Sequence, residues 1–373
     1  MRWQKKAMKK PALFFTALAF PSFVKKDIAT LGNRFDVFVY QFRATPKWLT
    51  PVRFLQQLFV LMKRLFSVDG YVCAFGGYHS FLPALLARLT GRPCLIIVAG
   101  TDCVSFPSIQ YGNLHRKWLG LFTRCSYRLA SHISAVHQSL LLYDYTYYPA
   151  DYPQQGILAF CPGLRTETSV MPYGYDASFF HRVGDSKMPN SFITVAVGAG
   201  GLSRYRLKGI DLVVWAARNF PEYAFTIVGS ELEGGEALPG NLRTHGVVTA
   251  ERLRELYSEH EFYLQLSISE GFPNAPCEAM LCECIVIGSR VGALPDIIGD
   301  TGFVLNVRDE AMLRHLIQVA VQCDKHRLAQ AARQRIIDIF PSEKREQALL
   351  ALMDRLLNSD RSPGDWAARP SAS

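Results

Sequence analysis

The chain has 373 residues, more than one ordinary hydrophobic core accommodates and about right for two domains. At 49% apolar and 20% charged it has a globular composition, which excludes a disordered or collagen-like chain. Its net charge of +9 is uneven: residues 1–180 carry 20 Lys+Arg against 8 Asp+Glu, and the remainder is slightly acidic. Such a basic half suits an anionic substrate or an anionic membrane surface. Nucleic acid is not expected, because no binding motif accompanies the charge. Nine cysteines are scattered without a C-x-x-C pair, so neither a disulfide framework nor a zinc site is expected, and a reducing, cytoplasmic compartment fits.

An apolar run at 11–24 is too short for a membrane span, which needs about 20 residues. It competes between a signal peptide and a buried first strand, and the strand–helix–strand pattern that follows favours the strand. Strands are expected at 12–17, 37–40, 72–75, 94–98 and 132–135. Helices fill 23–35, 51–66, 80–89, 114–130 and part of 138–147, and 148–165 reads as loop. After a polar linker at 181–190 come strands at 192–197, 224–228, 243–247, 262–266, 284–287 and 303–305. Helices alternate with them at 210–219, 251–259, 275–282 and 311–323, and a last helix covers 342–357. This alternation is the pattern of parallel α/β architecture. It divides the chain into domains at 1–180 and 181–341, a terminal helix at 342–358 and a disordered tail at 359–373.

The most informative stretch follows the strand that ends at Leu266. Glu270 opens a loop of Gly271, Phe272 and Pro273, and a helix starts with Asn274 or Ala275 as its N-cap, which places Glu278 in its first turn. A carboxylate, a glycine-hinged backbone and a helix N-terminus at one spot can hold a phosphate and accept sugar or ribose hydroxyls. Upstream, Gly198 to Gly201 and the cations Arg204, Arg206 and Lys208 form a second patch able to neutralise a diphosphate.

The Glu270–Glu278 spacing and its surroundings, Gly292-Ala293-Leu294-Pro295-Asp296 and Thr301-Gly302-Phe303 among them, resemble the retaining family 4 glycosyltransferases with their E-x7-E motif. The resemblance implies a GT-B fold, two Rossmann-like domains facing across a cleft. It implies that Glu270 contacts the transferred sugar and Glu278 the nucleotide ribose, and that Gly271, Phe272, Pro273 and Asn274 line the sugar and diphosphate. Lys208 and either Arg204 or Arg206 would neutralise the leaving group, and backbone near Val247 would approach the base. On the acceptor side the family often has a histidine before Gly-Thr-Asp. Here Ala99 stands there, followed by Gly100, Thr101 and Asp102, and His79 is the other candidate for that wall.

No D-x-D triplet or metal-ligand cluster occurs, so neither metal nor cofactor is expected beyond a nucleoside diphosphate sugar as donor substrate. The acceptor would be a hydroxyl of a glycan or lipid-linked molecule. Basic-aromatic helices at 51–66 and 114–128 suggest peripheral contact with an anionic membrane at the inner face of the plasma membrane. Two rivals stand beside hexosyl transfer: a GT-B-type nucleotide-sugar 2-epimerase, and a non-catalytic nucleotide-sugar-binding scaffold motivated by Ala99.

Overall fold

The computed structural model describes residues 10–43, 45–149, 152–198, 202–231 and 238–359. The first part of the chain runs through β1 (Ala12–Ala17), α1 (Ser22–Arg34), β2 (Asp36–Gln41), α2 (Thr50–Arg64), β3 (Gly70–Ala74) and α3 (Tyr78–Thr90). It continues through β4 (Cys94–Val98), α4 (Lys117–Leu129), β5 (His132–Ala135), a short β6–β7 hairpin (Tyr143–Asp144 and Gln154–Gln155), α5 (Ile157–Phe160) and β8 (Glu167–Val170). The second part comprises β9 (Met188–Val195), α6 (Leu202–Leu207), α7 (Ile210–Asn219), β10 (Ala224–Val228), β11 (Leu242–His245), α8 (Ala250–Glu259) and β12 (His260–Gln265). After these come α9 (Asn274–Leu281), β13 (Ile285–Ser289), α10 (Leu294–Ile298), β14 (Phe303–Leu305), α11 (Glu310–Gln322), α12 (Lys325–Ile339) and α13 (Ser342–Asn358).

Two six-stranded parallel sheets result, ordered β2-β1-β3-β4-β5-β8 and β11-β10-β9-β12-β13-β14. Strands such as β1, β3 and β4 are buried along their whole length, as helices on both faces of a parallel sheet require. In the second sheet the order reverses between β9 and β12, and the crevice beyond the carboxyl ends of those strands is where an open α/β sheet binds its ligand. The two sheets face each other across a cleft, the GT-B arrangement.

The chain crosses between the sheets twice, side by side. Tyr175 N–H donates to Phe340 O at 2.9 Å, and Ser342 N–H to Tyr175 O at 3.2 Å. The second crossing returns α13 to the first domain, against α1. There Arg345 grips Asp27 bidentately, at 2.9 and 2.7 Å, and donates to the carbonyls of Met171 and Pro172. Its guanidinium also lies over the Tyr173 ring, so one buried side chain ties the first crossing to both helices.

Several sequence expectations need correction. Residues 138–147 form a 3-10 turn and β6 rather than a helix, and the loop at 148–165 contains β7 and α5. Strand β8 went unpredicted because it is a polar, four-residue edge strand. Helix α12 went unpredicted because it buries only Ala332 and Ile336, too thin a stripe to show as periodicity. Strand β9 starts at Met188, inside the polar stretch 181–190 expected as linker. The expected tail beyond 359 and glycine-loop residues 199–201 lie outside the described residues. No helix among the described residues is long and apolar enough to cross a membrane.

Candidate active site

The centre of the site is an ion pair at the switch point of the second sheet. Lys208 Nζ donates to Glu270 Oε1 at 2.7 Å. Ser267 Oγ at 2.8 Å and Gln265 Nε2 at 3.1 Å donate to the same oxygen. Gln265 is oriented in turn by Tyr263, whose hydroxyl donates to its Oε1 at 2.8 Å. With one oxygen held by three donors, Glu270 presents a fixed carboxylate, 12% exposed, to the cleft. Burial lowers the Lys208 pKa and the adjacent carboxylate raises it; the carboxylate prevails, so the ammonium stays charged. Gly209 makes this pairing possible. Its φ is +70°, and a Cβ there would sit 2.1 Å from Leu266 O, so only glycine lets the lysine turn reach the end of β12.

Arg204 is close enough to Lys208 to oppose its protonation, whereas Arg206 lies over the Tyr148 ring at 5.7 Å. Of the two arginines, Arg204 is therefore the second cation beside the pair. Val247 is 77% exposed just beyond β11, at the same carboxyl edge.

The domains touch at this spot. A Cβ on Gly271 would overlap Ala99 O at 1.9 Å, so the Glu270 loop and the Ala99-Gly100-Thr101 turn pack backbone to backbone. Thr101 is exposed, and its hydroxyl meets Tyr111 OH at 2.9 Å. Tyr111 lies near enough to feel both Lys208 and Glu270, which makes it the first domain's neighbour of the ion pair.

Other expected residues sit differently. Asp102 is buried and accepts from the N–H groups of Gly76, Ala99 and Gly100 and from Tyr127 OH, so it braces the turn instead of meeting an acceptor. His79 is wholly buried, its Nε2 bonded to Ala74 O at 2.7 Å and its pKa lowered by burial to about 4; it does not line the cleft. Phe272 is also turned inward, among Tyr173, Tyr175 and Phe340, so this stretch can offer a ligand backbone but not that ring. The N-cap of α9 is Pro273 rather than Asn274 or Ala275. Asn274 accepts from Tyr175 OH at 2.7 Å, and Glu278 falls in the second turn, not the first.

Glu278 is half-buried, and burial raises its pKa to about 7 against the pull of Lys26 and the Tyr257 hydroxyl. Lys26 belongs to α1, so the first domain places a cation towards this carboxyl.

The sequence reading also missed a polar link across the domains, between His137 and Asp296. Ser139 N–H donates to His137 Nδ1, which leaves Nε2–H to donate to Asp296 at 2.8 Å, and burial lowers the His137 pKa. With Arg290, Gly292 and Tyr143 these residues line an interdomain cavity of about 300 Å³. The available signal was His137's place two residues past the end of β5. Among the described residues no three His, Cys, Asp or Glu side chains form a metal-binding group.

Residues 194–322 match the protein family described as "Glycosyl transferases group 1". The chain is related to glycosyltransferases of the GT-B fold. It is 35% identical over 98 residues to N-acetyl-alpha-D-glucosaminyl L-malate synthase of Bacillus anthracis, covering 25% of this chain and 26% of that protein. It is 34% identical over 110 residues to alpha-galactosylglucosyldiacylglycerol synthase of Streptococcus pneumoniae, covering 26% and 28%. The likeness thus spans about a quarter of each relative. Among solved structures, sucrose-phosphate synthase from Thermosynechococcus elongatus superposes with a TM-score of 0.71 at 15% identity, covering 93% of this chain and 99% of that one. HepE from Anabaena in complex with UDP-glucose superposes with a TM-score of 0.66 at 16% identity, covering 92% and 99%. At these identities the structural matches concern the fold.

Proposed function

We propose that the protein is a retaining glycosyltransferase that moves a hexose-type sugar from a nucleoside diphosphate to a hydroxyl of a glycan or lipid-linked acceptor. The observation that carries this reading is the Lys208–Glu270 pair at the switch point of one domain, facing Thr101 and Tyr111 of the other. Arg204 and Lys208 neutralise the diphosphate as the sugar–oxygen bond to it breaks, a stabilisation that grows with the charge on the leaving group. Glu270 holds the sugar and stabilises the positive charge that develops on it. The acceptor oxygen attacks on the face the diphosphate leaves, and its proton passes to a diphosphate oxygen. Glu278 accepts from the ribose hydroxyls, and backbone at Val247 meets the base. Supporting context comes from HepE, whose structure was solved with UDP-glucose, and from the glycolipid named in the pneumococcal relative's activity.

A screen of nucleotide sugars by thermal shift identifies the donor, because a ligand that binds only the folded chain raises its melting temperature. Product analysis with that donor should show a new glycoside of unchanged anomeric configuration, formed equally well with EDTA present. An inverted or C2-epimerised product, or activity abolished by EDTA and restored by magnesium, overturns the reading. The replacement of the family histidine by Ala99 favours one alternative, a nucleotide-sugar-binding scaffold, which would bind donor in the screen without turnover.

Glu278 makes a pH prediction. In the folded chain its carboxyl keeps its proton up to about pH 7, while in the unfolded chain it ionises near its ordinary value of 4.5. The unfolded state therefore releases this proton first, and Glu278 lowers stability as pH rises from about 4.5 to 7. Allowing for solvent screening, the cost above pH 7 is on the order of 1–3 kcal/mol. Glu278→Gln should melt higher than the parent at pH 8 and equal it near pH 4.5. If the carboxylate is what the ribose hydroxyls need, donor affinity should rise between pH 6 and 8 in the parent only. Calorimetry of both proteins across that range checks the pair of effects.

A further inference from the structure

Helix α2 carries an apolar stripe facing solvent. Val52, Leu55, Phe59, Met62 and, just past the helix, Phe66 recur at spacings of 3 and 4, which places them on one side of the helix. Leu55, Phe59 and Phe66 are 67%, 60% and 93% exposed. A soluble helix normally turns such a stripe inward, but α2 buries Gln57 and Leu61 instead. Helix α4 adds Trp118 and Leu121 to the same side of the domain, since Phe54 of α2 and Phe122 of α4 meet with ring centroids 5.2 Å apart.

The rim of this face is basic. Arg53, Lys63, Arg64, Arg116 and Lys117 flank it, and the sequence has no Asp or Glu from 37 to 68 or from 103 to 143. Lys63 lies over the Phe59 ring at 4.3 Å and Lys117 near the Trp118 ring at 5.8 Å, so cation and apolar ring are presented together. We infer that this α2–α4 face is a docking surface for an anionic lipid bilayer. Its rings and aliphatic chains enter the interface while the cations meet lipid phosphates. A second copy of the chain fits less well, because a self-complementary contact would set these cations against one another. The inference rests on the lipid-acceptor form of the proposed function and deepens it. Tyr111, beside the ion pair, and Trp118, on the apolar face, lie seven residues apart on one segment, whose Asn113 N–H donates to Thr101 O at 2.7 Å. One short segment thus joins the docking face to the Tyr111 side of the cleft.

The test is co-sedimentation of the full chain with vesicles of phosphatidylcholine containing about one third phosphatidylglycerol, and with phosphatidylcholine alone. The expected result is binding to the anionic vesicles, at least tenfold weaker with Leu55→Ser/Phe59→Ser and weakened by about 0.5 M salt, where the screening length is only a few ångströms. A blue shift of tryptophan emission on binding should be smaller in Trp118→Phe. Both substituted positions of the double variant are solvent-facing, so it should keep the parent melting temperature and donor affinity. No binding to either vesicle, undiminished binding by the double variant, or a concentration-dependent dimer that this variant abolishes would overturn the inference. Vesicle binding without any nucleotide-sugar binding would sink the proposed function and leave the docking surface standing.

Discussion

Lys208→Ala should lower turnover about 100- to 1000-fold, the loss seen when one preorganised donor to a developing negative charge is removed. Lys208 has two duties in the proposed reaction. It meets the departing diphosphate, and it holds Glu270 Oε1 at 2.7 Å in the position from which the carboxylate faces the sugar. The first duty appears mainly in kcat, because charge on the leaving oxygen grows only as the bond breaks. Donor binding should weaken less, by about 10- to 150-fold, the effect of losing a charge-assisted hydrogen bond of roughly 1.5–3 kcal/mol. Folding should be little affected, since Ser267 and Gln265 still donate to the carboxylate. Lys208→Arg should recover part of the turnover, because it keeps the charge but not the point geometry. Initial rates with the donor found by the thermal-shift screen check this, and a kcat for Lys208→Ala within threefold of the parent would remove Lys208 from the mechanism.

The second large effect concerns stability. Arg345→Ala should cost about 3–5 kcal/mol, the usual penalty for leaving one member of a buried ion pair alone. Both partners are under 10% exposed, so the Asp27 carboxylate would keep its desolvation cost without its counter-charge. The carbonyls of Met171 and Pro172 would lose their donor at the same time. The melting temperature should fall by roughly 6–20 °C. Arg345→Lys should recover little, because an ammonium cannot reproduce a bidentate contact and reach two carbonyls besides. Asp27→Asn should be milder than Arg345→Ala, since the amide still accepts one hydrogen bond from the guanidinium. Thermal melts of the three variants decide the matter. A drop under 2 °C for Arg345→Ala would show that the crossing is held by apolar packing instead.

Much of the architecture follows from local composition. A strand such as Leu95-Ile96-Ile97-Val98 needs cover on both faces, and helices of matching period stand between such runs, so two parallel sheets are legible in the sequence. The Glu270–Glu278 spacing and Lys208 before Gly209 were legible for the same reason: they depend on one loop, one helix and one turn. Elements that bury little, β8 and α12, left no pattern to read.

What tertiary structure alone decided is where each polar side chain points and what it meets. Arg204 and Arg206 are two residues apart and equivalent in sequence, yet Tyr148, 58 positions before Arg206, draws Arg206 away from the ion pair. His79, in the first turn of α3, and Asp102, four residues past β4, follow strand ends, where ligand-binding residues are expected, but Phe42 and Gln57 cover the first and Tyr127 and the Gly76 backbone the second, and both are buried. Phe272 turns inward because an aromatic pocket from two distant segments awaits it, and His137 meets Asp296 only because the domains close on each other. Backbone conformation and apolar periodicity are set within a few residues by sterics and solvent. The partner of a charge or a ring comes from far along the chain, so only the folded structure names it.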